Sequence, residues 1–208
     1  MTWLTRTVSL HSFDSPREEL ASGITHLLGV VLAFAATARL WSIPGGIVLG
    51  VAMILLFSAS TLYHLTPRGD LKRLFRLCDH LSIFILIAGT YTPVMLHMDS
   101  PWAYTTLAIV WGLALTGITL KTILWDRFKR MQIVFFLAMG WLIVFNFQEL
   151  RVAMESDFFW YMFAGGVSYT LGVVVYSLKS LPFYHAVWHL FVLAGAASFV
   201  LGVFSFAP

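Results

Sequence analysis

Long apolar runs, most of about twenty residues and separated by short polar or turn-forming breaks, fill the chain from residue 21 to residue 206. A bilayer crossing needs about 20 mostly apolar residues, because the hydrocarbon is about 30 Å thick and a helix rises about 1.5 Å per residue. The runs lie at 21–41, 44–65, 79–97, 102–121, 132–147, 158–178 and 184–206. They are continuous rather than alternating, and too long for barrel strands, so helices are the way their backbone groups are satisfied in lipid. The pattern predicts an all-α integral membrane bundle of seven transmembrane helices. The fifth run is the shortest and the one most open to merging with its neighbouring loop. A polar segment, 1–20, stands ahead of a transmembrane domain at 21–208. With no apolar core before residue 20, the first span is expected to double as the insertion signal.

Composition strengthens this reading. Of 208 residues, 59% are hydrophobic and 11% charged, against roughly a quarter charged in a soluble domain. The mean hydropathy is +0.83. A water-soluble globule is excluded, and so is a soluble enzyme on a single anchor. Most Lys and Arg residues (Arg6, Arg17, Arg68, Lys72, Arg73, Arg76, Lys121, Arg127, Lys129, Arg130 and Lys179) fall on the N-terminal side of the bundle, and only Arg39 and Arg151 fall on the other. Basic loops resist translocation, so the N-terminus is expected in the cytoplasm and the C-terminus outside. The net charge of +3 follows from this topology. It gives no nucleic-acid patch, although the basic loops can touch anionic lipid heads. Cys78 is the chain's single cysteine, and no disulfide is expected at its cytoplasmic edge.

Ionisable residues inside a membrane are costly and mark candidate sites. The topology gathers several at the cytoplasmic end: Glu19, Ser22 and His26 opening the first span, Ser60 and His64 closing the second, Asp79 and His80 opening the third, and His185 and His189 opening the seventh. His11 and His97 read as interfacial or solvated. His185 and His189 are four apart and share a helix face, as do Ser60 and His64. Two imidazoles from one helix and one from another make a three-nitrogen set, which suits a catalytic zinc site with its fourth position open. Asp79 and Ser60 are placed to orient groups at that position. The plainer alternatives are histidines facing headgroups and an Asp79 that caps free N–H groups at a helix start. Gly165, Gly166 and Gly195 read as close-packing positions, and Pro93 as a kink.

The segments Glu19-Leu-Ala-Ser-Gly-Ile-Thr-His26, Ser60-Thr-Leu-Tyr-His64, Cys78-Asp79-His80 leading to Ala88-Gly-Thr-Tyr-Thr-Pro93, Ala138-Met-Gly-Trp141 and His185-Ala-Val-Trp-His189, in this order, resemble the progestin and adipoQ receptor family. The resemblance is to its bacterial hemolysin III and membrane-homeostasis branch and covers nearly the whole chain. It implies a seven-helix bundle with zinc held by His64, His185 and His189, and with Asp79 and Ser60 beside the open position. It further implies a ceramidase-like hydrolase of lipid amides, or a role in membrane fluidity. Ser22 stands where the family usually has Asn, which bears on any amide-specific role of that position.

The expected function is therefore a zinc-dependent hydrolase of a lipid amide or ester, in a bacterial inner membrane, with membrane lipids as partners. Two alternatives come from other classes. One is a sensor of bilayer state whose zinc only staples helices. The other, with less support, is a pore, since no span carries a charged stripe. A retinal pump is disfavoured because the seventh span has no lysine.

Overall fold

The computed structural model describes residues 2–10, 15–154 and 156–206, and the regular elements among them are all helical. They are α1 (Trp3–Thr7), α2 (Pro16–Leu40), α3 (Gly46–Leu65), α4 (Asp70–Met98), α5 (Pro101–Ile123), α6 (Lys129–Gly140), a 3₁₀ turn (Trp141–Asn146), α7 (Phe147–Ala153), α8 (Ser156–Ser177) and α9 (Tyr184–Ser205). Six of these are long and apolar enough to cross a membrane. A seventh crossing exists if the segment through α6 and α7 counts as one span, bent by 59°. The all-α multi-span architecture expected from the hydropathy pattern is thus the one observed.

The helix starts are set by local chemistry rather than by hydropathy. α2 begins at Pro16, ahead of its apolar run, because Ser15 and Glu18 form a reciprocal capping box and proline occupies the first turn. The Glu18 carboxylate also accepts the Phe183 N–H at 3.0 Å. That bond ties the start of α2 to the start of α9, where Phe183 adopts a left-handed φ of 55°. α4 begins at Asp70, nine residues before the apolar run. In this extension Lys72 and Arg76 are buried, while Leu71 and Leu74 face outward. Asp79 therefore lies about two and a half turns inside α4. It caps no helix start, so that alternative falls.

α2 packs on α3 and α9, α3 on α4, α4 on α5, and α8 on α9. Gly45 makes the α2–α3 turn possible: its φ is 73°, and a Cβ there would stand 3.0 Å from the Pro93 nitrogen. Gly195 lets α9 approach α8 closely, since a Cβ would meet the Tyr169 ring at 2.9 Å. Leu28, Val31 and Phe34 on α2 are more than half exposed, as suits a face turned to lipid.

The fifth span departs most from the expectation of a helix over 132–147. After Gly140 the chain tightens into the 3₁₀ turn, and the buried Tyr91 hydroxyl supports the break. It accepts the Ile143 N–H at 2.9 Å and donates toward the Met139 and Gly140 carbonyls, each at 2.9 Å. Without it, backbone groups freed by the break would lose their partner inside the bundle. Tyr91→Phe is expected to destabilise the protein by about 1–3 kcal/mol, read as a shift in the unfolding midpoint in mixed micelles.

The N-terminal segment, read from the sequence only as polar, packs under α4. Val8 is fully buried against Leu77 and Trp125. The Arg73 guanidinium donates to the Val8 carbonyl, and Thr2 donates to Asp70 at 2.9 Å.

Candidate metal centre

The end of α3 and the starts of α2, α4 and α9 meet at one end of the bundle. His64 closes α3, and His185 and His189 occupy successive turns of α9. Ligand-capable atoms of these three all lie within 4.8 Å of one another. Their ring centroids are 4.6 Å (His64–His185), 5.0 Å (His64–His189) and 4.8 Å (His185–His189) apart. His64 and His189 are buried, and His185 is half-buried.

Hydrogen bonding fixes which nitrogens are available. His189 Nδ1 donates to the Ser22 carbonyl at 3.1 Å. A carbonyl only accepts, so in the neutral ring Nε2 carries the lone pair. His64 Nδ1 donates to Glu19 Oε2 at 2.9 Å, and the same oxygen accepts from Lys72 Nζ at 3.1 Å. His64 Nε2 is buried with no hydrogen-bond partner. A carboxylate or carbonyl behind a ring N–H is the usual support of a metal-ligating histidine, and a buried orphaned Nε2 calls for a ligand of its own. The donor set therefore fits a divalent ion.

The sequence placed Glu19 among the residues gathered at this end without giving it a role, and it did not single out Lys72. The pairing of Glu19 with His64 left no mark in the spacing, and Lys72 looked like one of many basic loop residues. Lys72 also donates to the Tyr63 carbonyl at 2.9 Å, which fixes it beneath α3.

The other expected residues divide. Ser60 is fully buried one turn before His64, facing Asp79 without closing a hydrogen bond of normal geometry. Asp79, half-buried on α4, lies in electrostatic reach of His185 and Ser60. His26 stacks on His189 with centroids 3.6 Å apart, and both its ring nitrogens are without hydrogen-bond partners. His80 points away from the cluster, with Nδ1 3.3 Å from the Gln132 side chain and its ring edge on Trp125. His97 stacks on Phe206 at the far end of the bundle. His11 lies outside the described residues. Cys78 is a free, exposed thiol.

A cavity of about 440 Å³ opens between α4, the α6–α7 segment, α8 and α9, with His26, Asp79, His185 and His189 on its wall. Elsewhere it is lined largely by apolar side chains, including Phe136, Phe163, Val173 and Phe199. The arrangement defines a multi-span helical membrane protein whose buried histidine cluster faces an apolar cavity of ligand size.

A family model for haemolysin-III-related proteins matches residues 15–200. The chain is 38% identical over 193 residues to the hemolysin-3 homolog of Bacillus subtilis, covering 88% of this chain and 91% of that protein. It is 38% identical over 192 residues to hemolysin-3 of Bacillus cereus, covering 87% and 88%. It is 28% identical over 197 residues to the human monocyte to macrophage differentiation factor, covering 86% and 80%. The chain belongs to the haemolysin-III-related family, within the progestin and adipoQ receptor proteins that its motifs resemble.

Proposed function

We propose that this protein is a zinc-dependent hydrolase of lipid amide or ester bonds, working from the cytoplasmic leaflet of a bacterial inner membrane in membrane-lipid homeostasis. The observation that carries the proposal is the convergence of three imidazoles at the edge of an apolar cavity, two of them, His185 and His189, on its wall beside Asp79, and the third, His64, buried behind them one turn from Ser60. His64, His185 and His189 would hold the ion, and three-histidine sets leave a fourth position open. When bound, the metal supplies Lewis acidity, polarising a carbonyl and making water nucleophilic near neutral pH.

The chain's own residues do the rest. Glu19 and the Ser22 carbonyl hold His64 and His189 in the tautomer that presents Nε2. Asp79 takes a proton from the attacking water and returns it to the leaving nitrogen or oxygen. Ser60 donates to the substrate carbonyl oxygen. The apolar cavity wall holds the acyl chain and keeps bulk water out. Basic residues at this end are expected to keep it on the cytoplasmic side, with the N-terminus inside.

The test is elemental analysis of purified protein together with release of fatty acid from labelled ceramide and phospholipid. About one zinc per chain with turnover of either substrate supports the reading, and protein free of zinc after metal-replete purification overturns it. Glu19→Gln is expected to weaken zinc binding about 10–100-fold, because the replacement holds His64 less firmly. Competition with a chelating zinc dye measures this, and unchanged affinity would remove Glu19 from the site.

A further inference from the structure

Arg76 is 6% exposed, yet its Nε and Nη1 have no hydrogen-bond partner. Its guanidinium stands 5.5 Å from the Trp125 ring centroid and 6.0 Å from that of Tyr63. Such faces attract a cation but do not satisfy its N–H groups in the ring plane. Asp79, three positions on, is in electrostatic reach, but no ion pair closes between them. A buried guanidinium with open donors inside a membrane bundle marks a place where a ligand supplies the missing acceptors.

The surroundings carry the same sign. Lys121 is 1% exposed, with its Nζ 3.8 Å from the Trp125 ring centroid and 3.1 Å from the Trp125 carbonyl to which it donates. His80 packs edge-on against the Trp125 ring, beside Gln132. Arg76, His80, Lys121, Trp125 and Gln132 all line the cavity whose wall also carries His185 and His189. We infer that this end of the cavity is a head-group site for an anionic phospholipid, with Arg76 as the residue that binds its phosphate.

The route in identifies the occupant. On the far side of Trp125 the N-terminal segment closes the bundle: Val8 is fully buried against the ring, and Ser9 accepts the Trp125 Nε1–H at 3.4 Å while donating to Asp126 at 3.1 Å. The open side is the cavity, whose remaining wall is largely apolar. A ligand with acyl chains and an anionic head fits both parts, whereas a small free anion fits only one. A phosphodiester offers its oxygens to the planar fork of arginine and leaves others for Lys121. Asp79 stands three residues along the helix from Arg76, a rise of about 4.5 Å. That is comparable to the spacing from a phospholipid phosphate to its acyl carbonyls, so the bound head brings an ester toward Asp79 and the histidines. This placement rests on the proposed hydrolase; the binding itself does not.

The test uses the full chain in phosphatidylcholine nanodiscs loaded with fluorescent phosphatidylglycerol, displaced by unlabelled phosphatidylglycerol, phosphatidylcholine, oleate or inorganic phosphate. Phosphatidylglycerol is expected to displace the probe at least about tenfold better than the other three. Arg76→Gln is expected to reduce that preference about tenfold with zinc content unchanged, while Arg68→Gln, at an exposed position, leaves it intact. Arg76→Lys, which keeps the charge in a smaller change, is expected to lose part of the preference and serves if the glutamine variant does not fold. Equal displacement by phosphatidylcholine, preferential displacement by oleate or inorganic phosphate, or full preference in folded Arg76 variants would overturn the inference. Selective binding without any lipid turnover would leave the head site standing and remove the hydrolase.

Discussion

His189→Ala is expected to reduce zinc from about one per chain to a few per cent of that, the largest single loss for any histidine in the protein. His189 is 2% exposed, and its Nδ1 is committed to the Ser22 carbonyl. The other buried ligand, His64, cannot turn its second nitrogen into the vacated place without breaking its own support. His64 is held by Glu19, and His26 lies flat on the His189 ring with both nitrogens outside the three-histidine group. The loss should appear in stability as well. A metal at about 100 times its dissociation constant stabilises a folded protein by about 2.7 kcal/mol. Chelation should therefore lower the unfolding midpoint of the natural protein and leave that of His189→Ala where it is. His97→Ala, at the opposite end against Phe206, is the matched control and should keep full zinc. Equal metal content in the two variants would show that the cluster holds no ion.

Asp79→Asn is expected to retain zinc and lose about 10²–10⁴-fold in lipid turnover. The amide keeps the shape of the carboxylate but cannot accept a proton from water. Asp79 sits well within α4, on the cavity wall, facing Ser60 and His185. The change therefore removes chemistry without removing a helix cap. Ser60→Ala should cost less, about tenfold, because one neutral hydrogen bond to the substrate is lost. These variants also separate the hydrolase from a metal-stapled sensor of bilayer state. In the sensor the ion links α3 and α9 and Asp79 has no proton to move, so cells carrying Asp79→Asn would regulate membrane composition normally.

The spans were legible in the sequence to different degrees, for identifiable reasons. α3, α5 and α9 match their apolar runs closely, because flanking turn residues such as Gly45, Pro101 and Pro182 punctuate them. α4 was read as starting at 79, since Asp70, Lys72, Arg73 and Arg76 look like a solvated loop. In the structure Lys72 and Arg76 turn inward while Leu71 and Leu74 turn outward, an inversion that averaged hydropathy does not register. The fifth run was visible, but its break at Gly140 depends on the Tyr91 hydroxyl, about fifty residues earlier in the chain. Gly195, expected as a packing glycine, does admit a close approach of Tyr169.

The candidate site divides the same way. The helical repeat puts His185 and His189 on one face, and the topology carries His64, Ser60 and Asp79 to the same end. The positions of Glu19 at His64, Ser22 at His189 and Arg76 beside Trp125 follow from no spacing along the chain.

By itself the sequence determined that this is a multi-span helical membrane protein of the haemolysin-III-related family. Backbone groups must be satisfied within lipid, and only apolar runs of sufficient length allow that. Only the tertiary structure decided which histidine nitrogen is left free, which buried cation lacks an acceptor, and where a hydroxyl supports a broken helix. Those are matters of side-chain direction. In a membrane protein the lipid-facing and inward-facing surfaces are both largely apolar, so the pattern of residue types carries little record of which way a side chain points.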